Sequence, residues 1–477
     1  MLHKVDVLVV GGGPGGSTAA ALLAKAGLKV LLLEKEHFPR YHIGESLLAS
    51  CLPTLRLSGA FDAVAEQNFM VKHGALIHWN EDVWVLDWEK LVDPNAWSWQ
   101  VDRATYDEVL LRNATKRGAE VIEGATVKRI EFVDGRPVSA EWSRRGENTV
   151  NTVEFDHIVD ASGRAGVLSH QHLGLRQSHE IFQNIAIWSY WDDATLLPET
   201  PQGGINVVSC PDGWWWHIPL KDGRYSTGLV THKDKYAAEI GGYESLDAYY
   251  LAKLNATPGM VTVTKDSKRA AGTKVDQDYS YVSDRFCGPG YFLVGDAACF
   301  LDPLLSTGVH LAQYSAMLAS AAILSTKRGE VTEAEGLKFH EMVYRRAYTR
   351  MLVLVSRLYE QYKGKDDYFW NAQKLVHEKN RNEAPIRSFT AITTGLTDMA
   401  EALTETRILN TQLIEEAEAA QNAKAESVTA EHLHSLDVTA TWGPWRSLVG
   451  ADTSTDDLAL VIEPHLGIGR LRAATAA

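Results

Sequence analysis

Apolar positions run along this chain in two different rhythms. At the N-terminus VDVLVV, Val5 to Val10, is almost continuously apolar, as expected of a strand buried on both faces of a parallel sheet. A glycine-rich turn follows, then an alanine-rich helical stretch, then a second apolar strand that stops at Glu34. Similar units recur further on. QVDRATYDEVLL opens a helix with Arg103 and Asp107 at its head, IVDASGRAGVL contains a strand ending in Asp160, and Gly288 to Ser320 reads as a strand ending at Val294, a loop and a long helix. Between these units, aromatic and β-branched runs such as IAIWSYW and STGLVTH predict strands of a different sheet. From about residue 346 the spacing turns helical, most clearly in FHEMVYRRAYTRMLVLVSRLYEQY. The pattern predicts an α/β protein in three interleaved parts. Residues 1–75, 100–170 and 275–345 form an α/β domain, 76–99 and 171–274 a substrate-side sheet that covers it, and 346–477 a helical C-terminal region.

Composition excludes several classes of function. The chain has 477 residues, 45% of them hydrophobic, enough for a substantial core. A formal net charge of −14 argues against nucleic acid or an anionic membrane as partner, since both call for basic patches. No apolar run reaches the about 20 residues of a membrane span. Cys51, Cys210, Cys287 and Cys299 lie far apart without CxxC spacing, so a reduced, cytoplasmic setting and no metal site are expected.

The first strand–turn–helix unit carries candidate chemistry. Gly11, Gly13 and Gly16 fit GxGxxG, with Pro14 and Ser17 at the helix that follows. Such glycines let a backbone approach a pyrophosphate, and the helix start offers free N–H groups and a positive dipole end. Glu34, 18 residues past Gly16, stands where an acidic side chain takes ribose hydroxyls. Together they predict a dinucleotide site, against the plainer alternative of a structural glycine turn.

Three other segments indicate which dinucleotide. GYFLVGDAACF, with Asp296 just beyond its strand, resembles the second FAD motif of the flavoprotein monooxygenase superfamily. QVDRATYDEVLL and IVDASGRAGVL resemble further segments of that superfamily, in the same order. The resemblance implies an FAD-binding, glutathione-reductase-like fold of the para-hydroxybenzoate hydroxylase type. It implies that FAD is held by Gly11, Gly13, Pro14, Gly16, Ser17, Glu34, Lys35, Arg40, Ser46, Arg103, Asp160, Asp296, Gly308 and Val309.

Within that superfamily, GWWWHIPL at residues 213 to 220 fits WxWxIP through Trp214, Trp216, Ile218 and Pro219. This resembles the signature of flavin-dependent halogenases. RYHIGESLLASCLPTL carries the matching Gly44, Glu45 and Ser46, and NFMVKHGALIHW places Lys72 where that family keeps a catalytic lysine. FLDPLLSTGVHLA resembles the family's halide loop, with Ser306, Thr307 and Gly308 on the halide side. YEQYKGKDDYFWNAQKL resembles the aromatic C-terminal segment of phenol and pyrrole halogenases, which implies a substrate-side lining of Tyr359, Tyr362, Phe369 and Trp370. An aromatic helical stripe is, however, more often core than pocket. The resemblance covers roughly residues 4 to 375 and is closer to phenol and pyrrole halogenases than to tryptophan halogenases.

The implied activity is FADH2-dependent chlorination or bromination of an electron-rich aromatic ring in natural-product biosynthesis. A flavin C4a-hydroperoxide would oxidise halide to hypohalous acid, Lys72 would hold that acid, and Trp214 and Trp216 would keep the ring away from the flavin. Each residue also has an ordinary reading: sheet packing for the tryptophans, a helix cap for Ser306 or Thr307, and a solvated amine for Lys72. His310, a lone histidine, is expected to be merely packed or capped. The implied co-reactants are FAD, halide and O2. The implied partners are a separate NAD(P)H-dependent flavin reductase and a small aromatic substrate, free or tethered to an acyl or peptidyl carrier protein as is common in the most similar group. A flavin hydroxylase or epoxidase would share every FAD segment but leave Lys72 and the paired tryptophans without a use. An isoprenoid-chain reductase of the same fold would instead need a long apolar tunnel.

Overall fold

The computed structural model describes residues 3–359, 385–403 and 458–470. In the first sheet, His3–Val10 lies between Val30–Glu34 and Asn151–Asp160, all parallel. Glu120–Glu123 and Tyr291–Leu293 extend the parallel order on the two sides. Val7, Leu8, Val9, Leu31 and Leu32 are completely buried, which accounts for the unbroken apolar runs. The helix Pro14–Lys25 lies on this sheet and packs against the helices Arg103–Lys116 and Thr307–Arg328. All the strand ends that carry candidate residues, at Val10, Glu34, Asp160 and Leu293, are thereby brought to one edge. That edge is where open α/β sheets bind ligands.

The second sheet has nine strands, and Gly213–Pro219 sits in its interior between Ile205–Cys210 and Arg224–His232. Strand alternation divides the three tryptophans. Trp214, Trp216 and Ile218 pack with the core of the first sheet, whereas Trp215 packs on the other face with Tyr249, Tyr250 and Met260. Lys274–Ser283 pairs with Arg176–Asp192 in this second sheet, so the start of the expected 275–345 segment belongs to the covering sheet instead. A short separate ribbon pairs Met70–Lys72 with Ser98–Gln100.

The C-terminal expectation is corrected in two places. A single helix, Glu333–Tyr359, runs through the expected boundary near residue 346. Leu458–Val461 and Gly467–Arg470 form antiparallel strands where only helix was expected. They dock on the end of Thr307–Arg328, where the Ile468 N–H donates to Ser325 Oγ (2.7 Å) and Arg328 donates to the Leu466 carbonyl (2.9 Å). No helix among the described residues is long and apolar enough to cross a membrane.

Candidate active site

The glycine cradle is formed by close backbone approaches. Gly11 has φ +102°, and a Cβ there would come within 2.3 Å of the Ala161 carbonyl oxygen. A Cβ on Gly16 would come within 1.9 Å of the Gly11 carbonyl oxygen. Pro14 occupies the start of the helix, and no side chain caps its N–H groups. Arg40 lies at the mouth, beside Gly13, and pairs with Asp107 at 3.2 Å. Lys35 is exposed. Across the cleft Asp296 is partly exposed, and no hydrogen bond to its carboxylate is formed among the described residues. Burial pushes its pKa up to about 6, against the opposing pull of Arg164, Arg103 and Arg176. An uncapped helix start, a backbone groove too tight for a Cβ and an unengaged aspartate fit the pyrophosphate and polyol of FAD.

Four of the expected cofactor contacts are engaged within the protein. Asp160 is wholly buried, and its two oxygens accept from Ser162 N and Oγ and from the N–H groups of Leu168 and Ser169. Its acceptors are thus engaged by the turn after its strand, which makes Asp160 an anchor of that turn. Arg103 makes a two-pronged contact with Asp107 (2.8 and 2.9 Å) and donates to the carbonyls of Ile43 and Gly44, so it fixes the loop before Ser46. Ser17 Oγ donates to the Gly12 carbonyl (2.8 Å). Glu34 accepts from the N–H groups of Gly12 (2.6 Å) and Glu36 (2.8 Å), which holds it at the mouth of the cradle.

Lys72 is not a solvated lysine. Its side chain is 1% exposed, and Nζ donates to Ser46 Oγ (2.8 Å) and to the Leu47 carbonyl (3.0 Å). The amine lies 4.7 Å from the centre of the Trp88 ring. Burial draws its pKa down to about 7, because the charged form loses its water. The expected Lys72 and Ser46 are thus brought into direct contact from positions 26 residues apart.

The tryptophans expected to form a wall are buried and fastened by hydrogen bonds. Trp214 and Trp216 are 1% and 5% exposed, with ring centres 6.2 Å apart, and Trp188 lies 6.3 Å beyond Trp216. Trp216 Nε1 donates to Ser226 Oγ (3.1 Å). Trp188 Nε1 donates to the Tyr41 hydroxyl (2.7 Å), which lies 3.0 Å from that of Tyr190, and Tyr190 donates to Glu45 (2.8 Å). Burial pushes the Glu45 carboxyl up to about 7. The wall is therefore wired to the glutamate next to Ser46. Nothing in the sequence marked Tyr41 or Tyr190, because their partners lie more than a hundred residues away.

The loop expected to receive halide leaves its backbone open. Ser306 adopts φ +57°, and no side chain caps the helix Thr307–Arg328, so the capping reading of Ser306 and Thr307 is not what the structure shows. Gly308 is exposed, and a Cβ there would meet nothing within 4 Å. Val309 is buried with Leu47, Cys51 and Trp99, which seats the loop against the Lys72 side of the cleft. Of the aromatic C-terminal residues, Tyr359 bonds to Trp214 (2.6 Å) and Asp302 (2.9 Å), while Tyr362, Phe369 and Trp370 lie outside the described residues.

His310, expected to be merely packed, belongs to a buried relay. Ser50 Oγ lies 2.8 Å from His310 Nδ1, and His310 Nε2 lies 2.8 Å from Asp398, which also pairs with Arg350. Burial and the nearby Arg350 draw the imidazole down to about 3. A neutral ring donating to Asp398 accepts from Ser50. All three members are about 1% exposed, so the relay joins the loop helix to Leu396–Ala402 inside the core.

Comparison with known proteins gives a consistent set of matches. The family model described as tryptophan halogenase matches residues 6–85 and 85–414. A tryptophan 2-halogenase of Chondromyces crocatus is 42% identical over 405 residues, covering 84% of this chain and 77% of the relative. A flavin-dependent halogenase of Armillaria mellea is 36% identical, covering 86% of this chain and 84% of the relative. Among solved structures, the myxobacterial chondrochloren halogenase, described as an FAD-dependent halogenase, superposes with a TM-score of 0.70 at 32% identity, covering 85% of this chain and 98% of that one. A flavin-dependent brominase superposes with a TM-score of 0.73 at 25% identity, covering 88% of this chain and 100% of that one.

Proposed function

The chain belongs to the flavin-dependent halogenases, enzymes that use FAD, halide and O2, and from that premise we propose that it halogenates an electron-rich phenol or pyrrole through hypohalous acid held at Lys72. When bound, reduced FAD supplies the two-electron chemistry with O2 that turns halide into hypohalous acid. The cradle at Gly11–Gly16, with Arg40 and Asp296, would hold that cofactor. The open backbone at Thr307–Gly308 would receive the halide, and Trp214 and Trp216 would deny the ring access to the flavin.

The observation that carries the reading is the buried amine of Lys72. A neutral amine has two N–H bonds and one lone pair. With the N–H bonds directed to Ser46 and Leu47, the lone pair is left for an electrophile. Hypohalous acid can then be hydrogen-bonded there or converted to a haloamine with loss of water. The ring attacks the halogen, and its displaced proton leaves with hydroxide or returns to the amine. A phenol or pyrrole suits this because it needs little help from a base. An indole is the second reading, favoured by the 42% identical relative named as a tryptophan 2-halogenase. Reduced flavin would come from a separate reductase, and the substrate would be free or tethered to a carrier protein.

The test is reconstitution with FAD, a flavin reductase, NADH, chloride or bromide and a panel of phenols, pyrroles and tryptophan, read by mass spectrometry for halogen isotope pairs. Lys72→Ala should bind FAD and consume O2 as the parent does, yet lower halogen transfer by at least about 100-fold. A hydroxylated product, or near-parental transfer by Lys72→Ala, would overturn the mechanism.

A further inference from the structure

We propose that Asp302 and Tyr359 are positioning residues for halogenation, which tie the tryptophan wall to the halide loop so that the two hold station as one piece. The proposal rests on the reading of Ser306–Gly308 as the halide loop. Four residues far apart in sequence meet in one knot. Trp214 Nε1 donates to the Tyr359 hydroxyl (2.6 Å), which donates to Asp302 Oδ2 (2.9 Å). Asn184 Nδ2 approaches both acceptors, at 3.1 Å from Asp302 Oδ2 and 3.2 Å from the Tyr359 oxygen. The remaining oxygen of Asp302 accepts the Leu304 N–H (2.9 Å) and so shapes the turn Pro303–Leu305 that delivers Ser306 and Thr307.

The donors and acceptors balance. A tyrosine hydroxyl has one proton and two lone pairs; Tyr359 directs its proton to the carboxylate, and its lone pairs face Trp214 and Asn184. Trp214, Asn184 and Asp302 are each no more than 3% exposed and Tyr359 is half-buried, so these three depend on the knot rather than on bulk water for their partners. Asp302 therefore reads the position of the wall with one oxygen and sets the halide loop with the other. Such coupling suits a reaction in which a small oxidant must form on one side of the wall and act on the other. A wall and a loop that moved independently would let hypohalous acid escape.

Tyr359→Phe deletes one oxygen and leaves the ring, and Asp302→Asn keeps an acceptor while removing the charge. Tyr359→Phe should melt within a few degrees of the parent and bind FAD with unchanged affinity. Its halide KM should rise about tenfold, the effect of losing one hydrogen bond to a charged group. A larger share of oxidised halide should reach monochlorodimedone in solution. Hydrogen exchange should quicken at Leu304–Gly308 even without cofactor. Asp302→Asn should show the same pattern in milder form. Parental exchange, halide KM and trap yield in Tyr359→Phe would overturn the proposal, as would a drop in melting temperature with the trap share unmoved, which would mark a purely structural role. If the parent protein transferred no halogen, the functional reading would fall, while faster exchange confined to Leu304–Gly308 would still uphold the coupling.

Discussion

Lys72 shows how burial changes the ionisation of a common residue. The native amine ionises near 7, whereas lysine in an unfolded chain ionises near about 10.4. Between those values the unfolded chain binds a proton that the folded chain does not, so stability should rise with pH across the window. Lys72→Met keeps the shape and removes the titration. Its gain over the parent should be greatest at and below pH 7, up to roughly 4 kcal/mol, and should shrink toward about pH 10. Urea unfolding of both proteins at a series of pH values measures this. A difference that stayed flat with pH would show that the amine keeps its charge in the fold.

At the scale of the element, the proposed wall depends on its neighbour strand as much as on its tryptophans. Gly228 faces Trp216 across the ladder, and a Cβ there would come within 2.2 Å of Trp216 Cζ2. The strand Arg224–His232 thus leaves a notch that the indole fills. Gly228→Ala should displace Trp216, cost about 1–3 kcal/mol of stability and lower halogen transfer, with FAD affinity preserved. Thermal melts with product analysis would check it. Parental stability and yield would mean that the indole can shift without consequence.

At the scale of the molecule, the site is a junction of distant segments. The Lys72 ribbon, the loop at Ser46, the proposed wall and the proposed halide loop each come from a different stretch of chain. The relay of Ser50, His310 and Asp398 also brings Leu396–Ala402 to the back of the loop helix. Among the described residues the first sheet offers one glycine-rich nucleotide cradle. Purified protein should therefore leave NADH unoxidised until a flavin reductase is added, as followed by absorbance at 340 nm. Rapid NADH oxidation by the pure protein would contradict a separate reductase.

Lys72 stood out only through a family resemblance, whereas local pattern was enough to read the α/β fold, the glycine cradle and the paired tryptophans. Each of these is written in short-range terms: a run of apolar residues, a glycine spacing, or a two-residue alternation that sends Trp214 and Trp216 to one face and Trp215 to the other. Spacing could not reveal how polar groups are shared. Asp160, expected as a cofactor ligand, also engages its oxygens with Ser162, Leu168 and Ser169. Arg103 proved to hold the loop before Ser46, and His310 acquired partners at Ser50 and Asp398 that no sequence window contains. The strands near the C-terminus needed the end of another helix to dock against. A hydrogen bond is decided by which groups meet once water is excluded, and only the tertiary structure settles that.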